Sequence, residues 1–215
     1  MNHKKTVALA FDLHKVLFTY DYYTAIHILC TKMPVRALVP FILKPFFWIA
    51  LYKTSRRTRV LDDIFEQVEK KYPQAKALWP FGYELSNAQK PRKHMQELLV
   101  SLKSDGHILI LCSNIGPVPF SLLKKKYPDF FALFDNSLTP EKSTGYLQKP
   151  QAAFFDSLKF LIKEKYSEIS SIVLIDDRFQ NTSQDINSGL EGILFVSLRM
   201  LKSSLSKLYQ EKADK

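Results

Sequence analysis

Three short apolar runs stand out along the chain, each ended by a polar group. Val7-Ala8-Leu9-Ala10-Phe11 leads to Asp12, Ile108-Leu109-Ile110-Leu111-Cys112 to Ser113-Asn114, and Ile172-Val173-Leu174-Ile175 to Asp176-Asp177. Continuous runs of this length, rich in β-branched residues, predict strands covered on both faces. Around them the spacing predicts a strand over 6–12 and a helix over 21–33, with Asp21 near its start. Residues 36–53 form a long apolar stretch. Val60, Leu61, Ile64, Phe65 and Val68 recur at helical spacing and predict a helix over 56–72 that stops near Pro73. Trp79-Pro80-Phe81-Gly82 predicts a turn. A helix over 91–104 would start at Pro91 and end before Gly106.

From Ile108 onward strands and helices alternate. Strands are expected over 107–112, within 131–138, over 171–176 and over 193–197. Helices are expected over 117–127, 150–165 and 179–188. The polar tail, 198–215, predicts a surface helix that frays. The alternation implies right-handed crossovers and a parallel sheet with helices on both faces, an α/β, Rossmann-like three-layer architecture. Mostly helical residues 18–90 separate the first strand from this run and predict an inserted α-helical cap. The chain thus divides into a core of residues 1–17 and 91–215 and a cap of residues 18–90. In an open parallel sheet, ligands bind beyond the carboxyl ends of the strands. Asp12, Ser113-Asn114 and Asp176-Asp177 all fall on that edge.

The chain has 215 residues, enough for one core plus an insertion, and its 46% hydrophobic content is that of a globular protein. A net charge of +10 suits an anionic ligand. No pattern specific for nucleic acid accompanies it, and Lys124-Lys125-Lys126 and Arg56-Arg57 read as solvated surface. With two cysteines, Cys30 and Cys112, a disulfide framework is not expected, which fits a reducing cytosol. Met1 to Lys5 lead straight into the first strand without the pattern of a cleavable signal, so a cytoplasmic location is expected. The apolar stretch 37–52 is shorter than a spanning helix and contains Lys44 and two prolines. It supports three readings: a buried or lid-facing cap helix, a peripheral membrane anchor with Arg36, Lys44 and Lys53 reaching lipid phosphates, or a self-association surface.

Two adjacent acids at a strand end repel, so a divalent cation is a natural counter-charge at Asp176-Asp177. Oxygen-only ligation favours Mg²⁺. A competing role for the pair is to cap a helix starting near Arg178. Asn181 lies one turn further on and can hydrogen-bond either acid.

Five segments, in order, resemble the haloacid dehalogenase (HAD) superfamily. They are Phe11-Asp12-Leu13-His14-Lys15-Val16-Leu17, Ser113-Asn114, Gly145-Tyr146-Leu147-Gln148-Lys149-Pro150, Ile175-Asp176-Asp177 with Asn181, and Gly189-Leu190-Glu191-Gly192-Ile193. They span residues 6 to 197. The resemblance implies a nucleophile at Asp12 that forms an aspartyl-phosphate, which water then hydrolyses. It implies phosphoryl contacts from the Ser113 hydroxyl and the Asn114 backbone, and Lys149 offsetting the charge of Asp12 and the phosphoryl group. Mg²⁺ would be held by Asp12, Asp177, the main-chain carbonyl of His14 and, in a second or alternate position, Asp176. The family's phosphatases usually carry a second Asp two residues after the nucleophile, then Gly; here His14 and Lys15 occupy those positions. Imidazole can exchange a proton at neutral pH, so His14 is the candidate acid/base. Lys15 would reshape the entrance or touch substrate.

The expected function is a Mg²⁺-dependent phosphatase of a small phosphorylated metabolite. One alternative is a binding or regulatory protein of weak or absent turnover, favoured by His14 and Lys15. The other is a metal-independent 2-haloacid dehalogenase, against which the double acid argues.

Overall fold

The computed structural model describes residues 6–42, 44–46, 48–49, 52, 59–169 and 171–213. Residues 1–5, Lys53, Arg56-Arg57 and positions 43, 47, 50 and 51 of the apolar stretch lie outside the described residues, as does the end of the tail, 214–215. Five parallel strands form the central sheet in the order β5-β4-β1-β6-β7. They are β1 (Ala8–Phe11), β4 (Ile108–Cys112), β5 (Asn136–Leu138), β6 (Ile172–Asp176) and β7 (Glu191–Leu194). β1 sits in the middle, with Ala8 opposite Ile108 on one side and Ile172 on the other.

The three inner strands β1, β4 and β6 read as unbroken apolar runs because both their faces are covered. Leu9, Phe11, Leu109, Leu111, Val173 and Ile175 point into one cluster, with Leu99 of the helix Met95–Ser104 and Leu201 of the helix Leu198–Ala213. Their alternate neighbours Ala8, Ala10, Ile110, Cys112 and Leu174 face the opposite cluster, with Phe154, Phe155 and Leu158 of the helix Ala152–Lys165. This period-two division makes the three layers. Burial of each large side chain is worth about 1.5–3 kcal/mol, so the central strand is held on two faces and two edges at once.

Four expectations need correction. Trp79-Pro80-Phe81-Gly82 is not a turn but the first turn of a helix, Trp79–Ser86. A proline there lacks only an N–H that would have no helical partner. Gly82 lets the helix lie against Phe65, whose ring carbon would stand 2.5 Å from an added Cβ. Pro91 does not start a helix. It ends β3 (Gln89–Pro91), which pairs antiparallel with β2 (Phe18–Tyr20), and the helix begins at Met95. This two-stranded ribbon was not anticipated. Phe18 anchors it among Tyr127, Phe130 and Phe131, with ring centroids 5.4, 5.0 and 5.6 Å away. The last strand lies at Glu191–Leu194, earlier than 193–197. Finally, the tail helix is amphipathic: Leu201 and Leu205 are buried and Tyr209 stacks on His107 at 4.7 Å.

Between β2 and β3 the described elements are helical: Tyr22–Lys32, Val35–Ile42, Leu61–Lys71, a 3-10 segment Pro73–Leu78, and Trp79–Ser86. Asp21 accepts a hydrogen bond from Thr24 N at 3.3 Å and starts the first of them. Ile64, Val68, Ala75 and Leu78 form a small core of their own. In the apolar stretch, Val39, Trp48, Ile49 and Tyr52 are about half exposed, while Phe46 packs toward Tyr72. Among the described residues no helix is long and apolar enough to cross a membrane. Cys30 is exposed, Cys112 is buried, and they are not joined in a disulfide.

Candidate functional site

Strands β1, β4 and β6 are adjacent and parallel, so their carboxyl ends place Asp12, Ser113 and Asp176 side by side. Lys149 reaches this edge from the loop before the helix Ala152–Lys165. It is 2% exposed, and its ammonium donates to Asp12 Oδ1 at 2.9 Å, Asp176 Oδ2 at 2.5 Å and the Cys112 carbonyl at 2.6 Å. All three donors of the head group are thus committed. Burial works against the charged form, yet Asp12 and Asp176 together hold the Lys149 pKa above that of an ordinary lysine. Burial also pushes Asp176 upward, against the pull of Lys149.

The Lys149 backbone is fixed by a residue whose side chain had no assigned task. Asn114 Oδ1 accepts from Lys149 N and Asn114 Nδ2 donates to the Lys149 carbonyl, both at 2.8 Å. The Lys149–Pro150 peptide is cis. Asp176 Oδ1 accepts from Arg178 N at 2.9 Å, a local bond just ahead of the helix Phe179–Ser188 rather than a cap of its first turn. The Ser113 hydroxyl is fully buried and has no hydrogen-bond partner among the described residues.

Asp12, Asp176 and Asp177 offer carboxylate oxygens that all lie within 4.8 Å of one another. The buried Lys149 ammonium thus meets a cluster of three carboxylates, and Lys15, at 3.6 Å from Asp177 but largely exposed, adds to it only weakly. An all-oxygen, anionic set fits a hard divalent cation such as Mg²⁺.

His14 is half-buried, two residues beyond Asp12. Its Nδ1 is 2.7 Å from Gln89 Oε1, while Gln89 Nε2 donates to the Ser86 carbonyl at 2.7 Å. With the amide nitrogen so committed, Gln89 presents an acceptor, and Nδ1 carries the proton. Lys15 has φ +65°, in the left-handed region where glycine is usual. A side chain there costs about 1 kcal/mol. Arg92 holds the loop by donating to the carbonyls of Val16, at 2.9 Å, and Lys15.

Asp12, His14, Asn114, Lys149, Arg178 and Asn181 line the floor of a cavity of about 660 Å³; Ser113, Asp176 and Asp177 do not. The helix Leu61–Lys71 borders it and is tied across to the helix Pro117–Lys126 and to the segment 142–146. Asp62 Oδ1 accepts from Val118 N at 3.1 Å. Glu66 Oε1 accepts from Lys142 Nζ and the Tyr146 hydroxyl, each at 2.9 Å. Asp62 stands so close to Gly116 that an added Cβ would be 1.7 Å from its Oδ2, so this tie needs a glycine. Burial pushes the Asp62 carboxyl upward. Asp62, Gln89 and Arg92 carried no motif signal, because each acts through partners distant in sequence.

A parallel α/β sheet whose carboxyl edge gathers three aspartates around a buried lysine defines the Rossmann-like class. Within it, the fold is that of the HAD-like hydrolases. No protein-family model matches the sequence, and no curated protein matches it. Among solved structures, a hydrolase from Streptococcus pneumoniae superposes with TM-score 0.56 at 19% identity, covering 94% of this chain and 99% of its own. A predicted HAD-like family hydrolase from Porphyromonas gingivalis gives 0.59 at 17% identity, covering 94% and 97%. A HAD family enzyme of Bacteroides thetaiotaomicron, solved as a variant in complex with magnesium and inorganic phosphate, gives 0.56 at 13%, covering 90% and 95%.

Proposed function

We propose that this chain is a Mg²⁺-dependent phosphatase that hydrolyses an organic phosphomonoester through an aspartyl-phosphate at Asp12. The observation that carries the reading is the buried Lys149 ammonium shared by Asp12 and Asp176, with a third carboxylate, Asp177, beside them. In this reading residues 1–17 and 91–215 are the catalytic core and residues 18–90 the cap.

Asp12 attacks phosphorus, and the bond to the leaving alkoxide breaks. Lys149 keeps Asp12 ionised and oriented, and its charge offsets part of the phosphoryl charge as it moves onto the enzyme. The Ser113 hydroxyl, which has no hydrogen-bond partner among the described residues, donates to a phosphoryl oxygen, and so does the Asn114 backbone N–H. His14, with Nδ1 held by Gln89, delivers a proton from its other ring nitrogen to the alkoxide. It then takes one from the water that cleaves the aspartyl-phosphate and regenerates Asp12. Asp12, Asp177, Asp176 and the His14 carbonyl would hold Mg²⁺, which supplies positive charge to the phosphoryl oxygens.

A phosphatase assay on p-nitrophenyl phosphate with and without Mg²⁺ tests the reading. Turnover that vanishes with EDTA supports it; no turnover despite intact Mg²⁺ binding favours a binding or regulatory protein. Asp177→Ala is expected to weaken Mg²⁺ binding by about tenfold or more, since one of few anionic ligands is lost; unchanged affinity by calorimetry would exclude Asp177 as a ligand.

His14→Ala should show leaving-group dependence. Alkyl phosphates need a proton on the departing oxygen, so their kcat is expected to fall by about 10²-fold. p-Nitrophenolate leaves unaided, and its release should slow far less. Equal losses on both substrates would rule out His14 as the acid.

A further inference from the structure

The cavity above the acid floor differs from that floor in character. Leu61, Phe65, Trp79, Phe81, Leu85 and Ile115 line the same cavity as Asp12 and Lys149, and Arg59, whose guanidinium is 3.5 Å from Asp63, stands among them. Phe65 and Trp79 stack face to face at 4.0 Å with an interplanar angle of 11°, and Tyr83 closes edge-on at 4.9 Å from Phe65. Trp79 has a polar handle, but its indole N–H already donates to Glu69 Oε2 at 3.0 Å. The Ser86 carbonyl is likewise taken, accepting from Gln89. The rim tyrosines Tyr20 and Tyr22 are solvent-exposed.

Building on the phosphatase reading above, we infer that the leaving alcohol of the substrate is apolar, a hydrocarbon or aryl group lying against the Phe65–Trp79 wall. Three observations carry this. First, about 660 Å³ is the size of a site for a drug-sized molecule, and a phosphoryl group fills a small part of it. Second, Asp12, Lys149 and Asn114 are hydrogen-bonded neighbours, so a phosphomonoester bound at them leaves the rest of the cavity to its alcohol. Third, a polyol would bury hydroxyls against aliphatic and aromatic carbon with few partners, and an unpartnered buried hydroxyl is unfavourable. An alkyl or aryl group there gains instead from leaving water. The ties from Asp62 to Val118 and from Glu66 to Lys142 and Tyr146 fix the helix that carries Leu61 and Phe65, so this apolar surface is in place before the ligand arrives.

The test is a chain-length series read in two ways. Butyl-, hexyl-, octyl- and decylphosphonate, which cannot be hydrolysed, are titrated below micelle-forming concentrations by calorimetry with Mg²⁺ present. Affinity is expected to rise by up to about fourfold per methylene until the cavity is filled. In parallel, kcat/KM is measured for the matching alkyl phosphates, p-nitrophenyl phosphate, glycerol phosphate and glucose 6-phosphate, with the alkyl and aryl esters expected to lead. Turnover with a flat phosphonate series, or with the polyol esters preferred, overturns the apolar site and leaves the phosphatase standing. Chain-length-dependent binding without turnover of any ester overturns the phosphatase and leaves the apolar site. Flat binding without turnover overturns both. Leu61→Asp places a carboxylate in the wall at the first position of its helix, where an acid favours helix formation. It should lower the octyl-to-butyl affinity ratio at least tenfold; an unchanged ratio would show that the chain does not lie on this wall.

Discussion

Asp12→Asn is expected to lower kcat on p-nitrophenyl phosphate by about 10⁴-fold, the scale seen when a group central to covalent catalysis is removed. The amide matches the carboxylate in shape, and its oxygen can still accept from Lys149. What disappears is nucleophilicity toward phosphorus. Stability should change little, because the substitution also removes one of three crowded negative charges around Asp176. The measurement is steady-state turnover with saturating Mg²⁺, run beside a urea unfolding curve. A folded Asp12→Asn protein with undiminished turnover would remove Asp12 as the nucleophile and with it the aspartyl-phosphate.

Lys149→Met should act on stability as much as on chemistry. The side chain fits the same volume but leaves Asp12 and Asp176 facing each other, buried, with no counter-charge, and strips a donor from the Cys112 carbonyl. Breaking a buried pair by removing one partner costs about 3–5 kcal/mol. Urea unfolding in EDTA should show a loss of this size, partly restored by Mg²⁺, which replaces the missing positive charge. The pH dependence has a definite sign. Without the pull of Lys149, burial raises the Asp176 carboxyl further above its ordinary range in the folded state. The folded protein then binds a proton that the unfolded chain has released, so stability is greatest at acidic pH and is lost as pH rises through the raised value. An equal deficit at pH 4 and pH 8 would show that the lysine does not serve as the counter-charge.

Much of the core was readable in the sequence because a strand covered on both faces must be apolar at every position. Residues 7–11, 108–112 and 172–175 therefore announced themselves, and the polar residues closing them fell where ligands bind. The ribbon β2–β3 was invisible for the opposite reason: three residues on each side give no period, and Gln89-Lys90-Pro91 has no apolar alternation. Trp79-Pro80-Phe81-Gly82 was misread because proline and glycine in close succession mark a turn as readily as a helix start beside a close-packed ring. The tail was misjudged on its polar composition, although Leu201, Leu205 and Leu208 stand at helical spacing and the first two reach the core. Within the site, the acids could be named from sequence, but their arrangement could not. The amide of Asn114 grips the backbone of a residue 35 positions away, and that of Gln89 grips a ring 75 positions away. Local pattern carries no trace of such pairs.

The central place of β1 also bears on how the chain reaches its fold. Ala8 needs Ile108 on one side and Ile172 on the other. During synthesis at roughly 5–20 residues per second, this strand waits several seconds for its first partner and longer for its second. Until then an apolar, unpaired edge is open to any other strand in reach. Pairings this remote close slowly, because the entropy of a long loop must be overcome before contacts reward it. The segment that delivers the reactive aspartate is therefore also the one whose exposure on a nascent chain makes it the natural client of a chaperone.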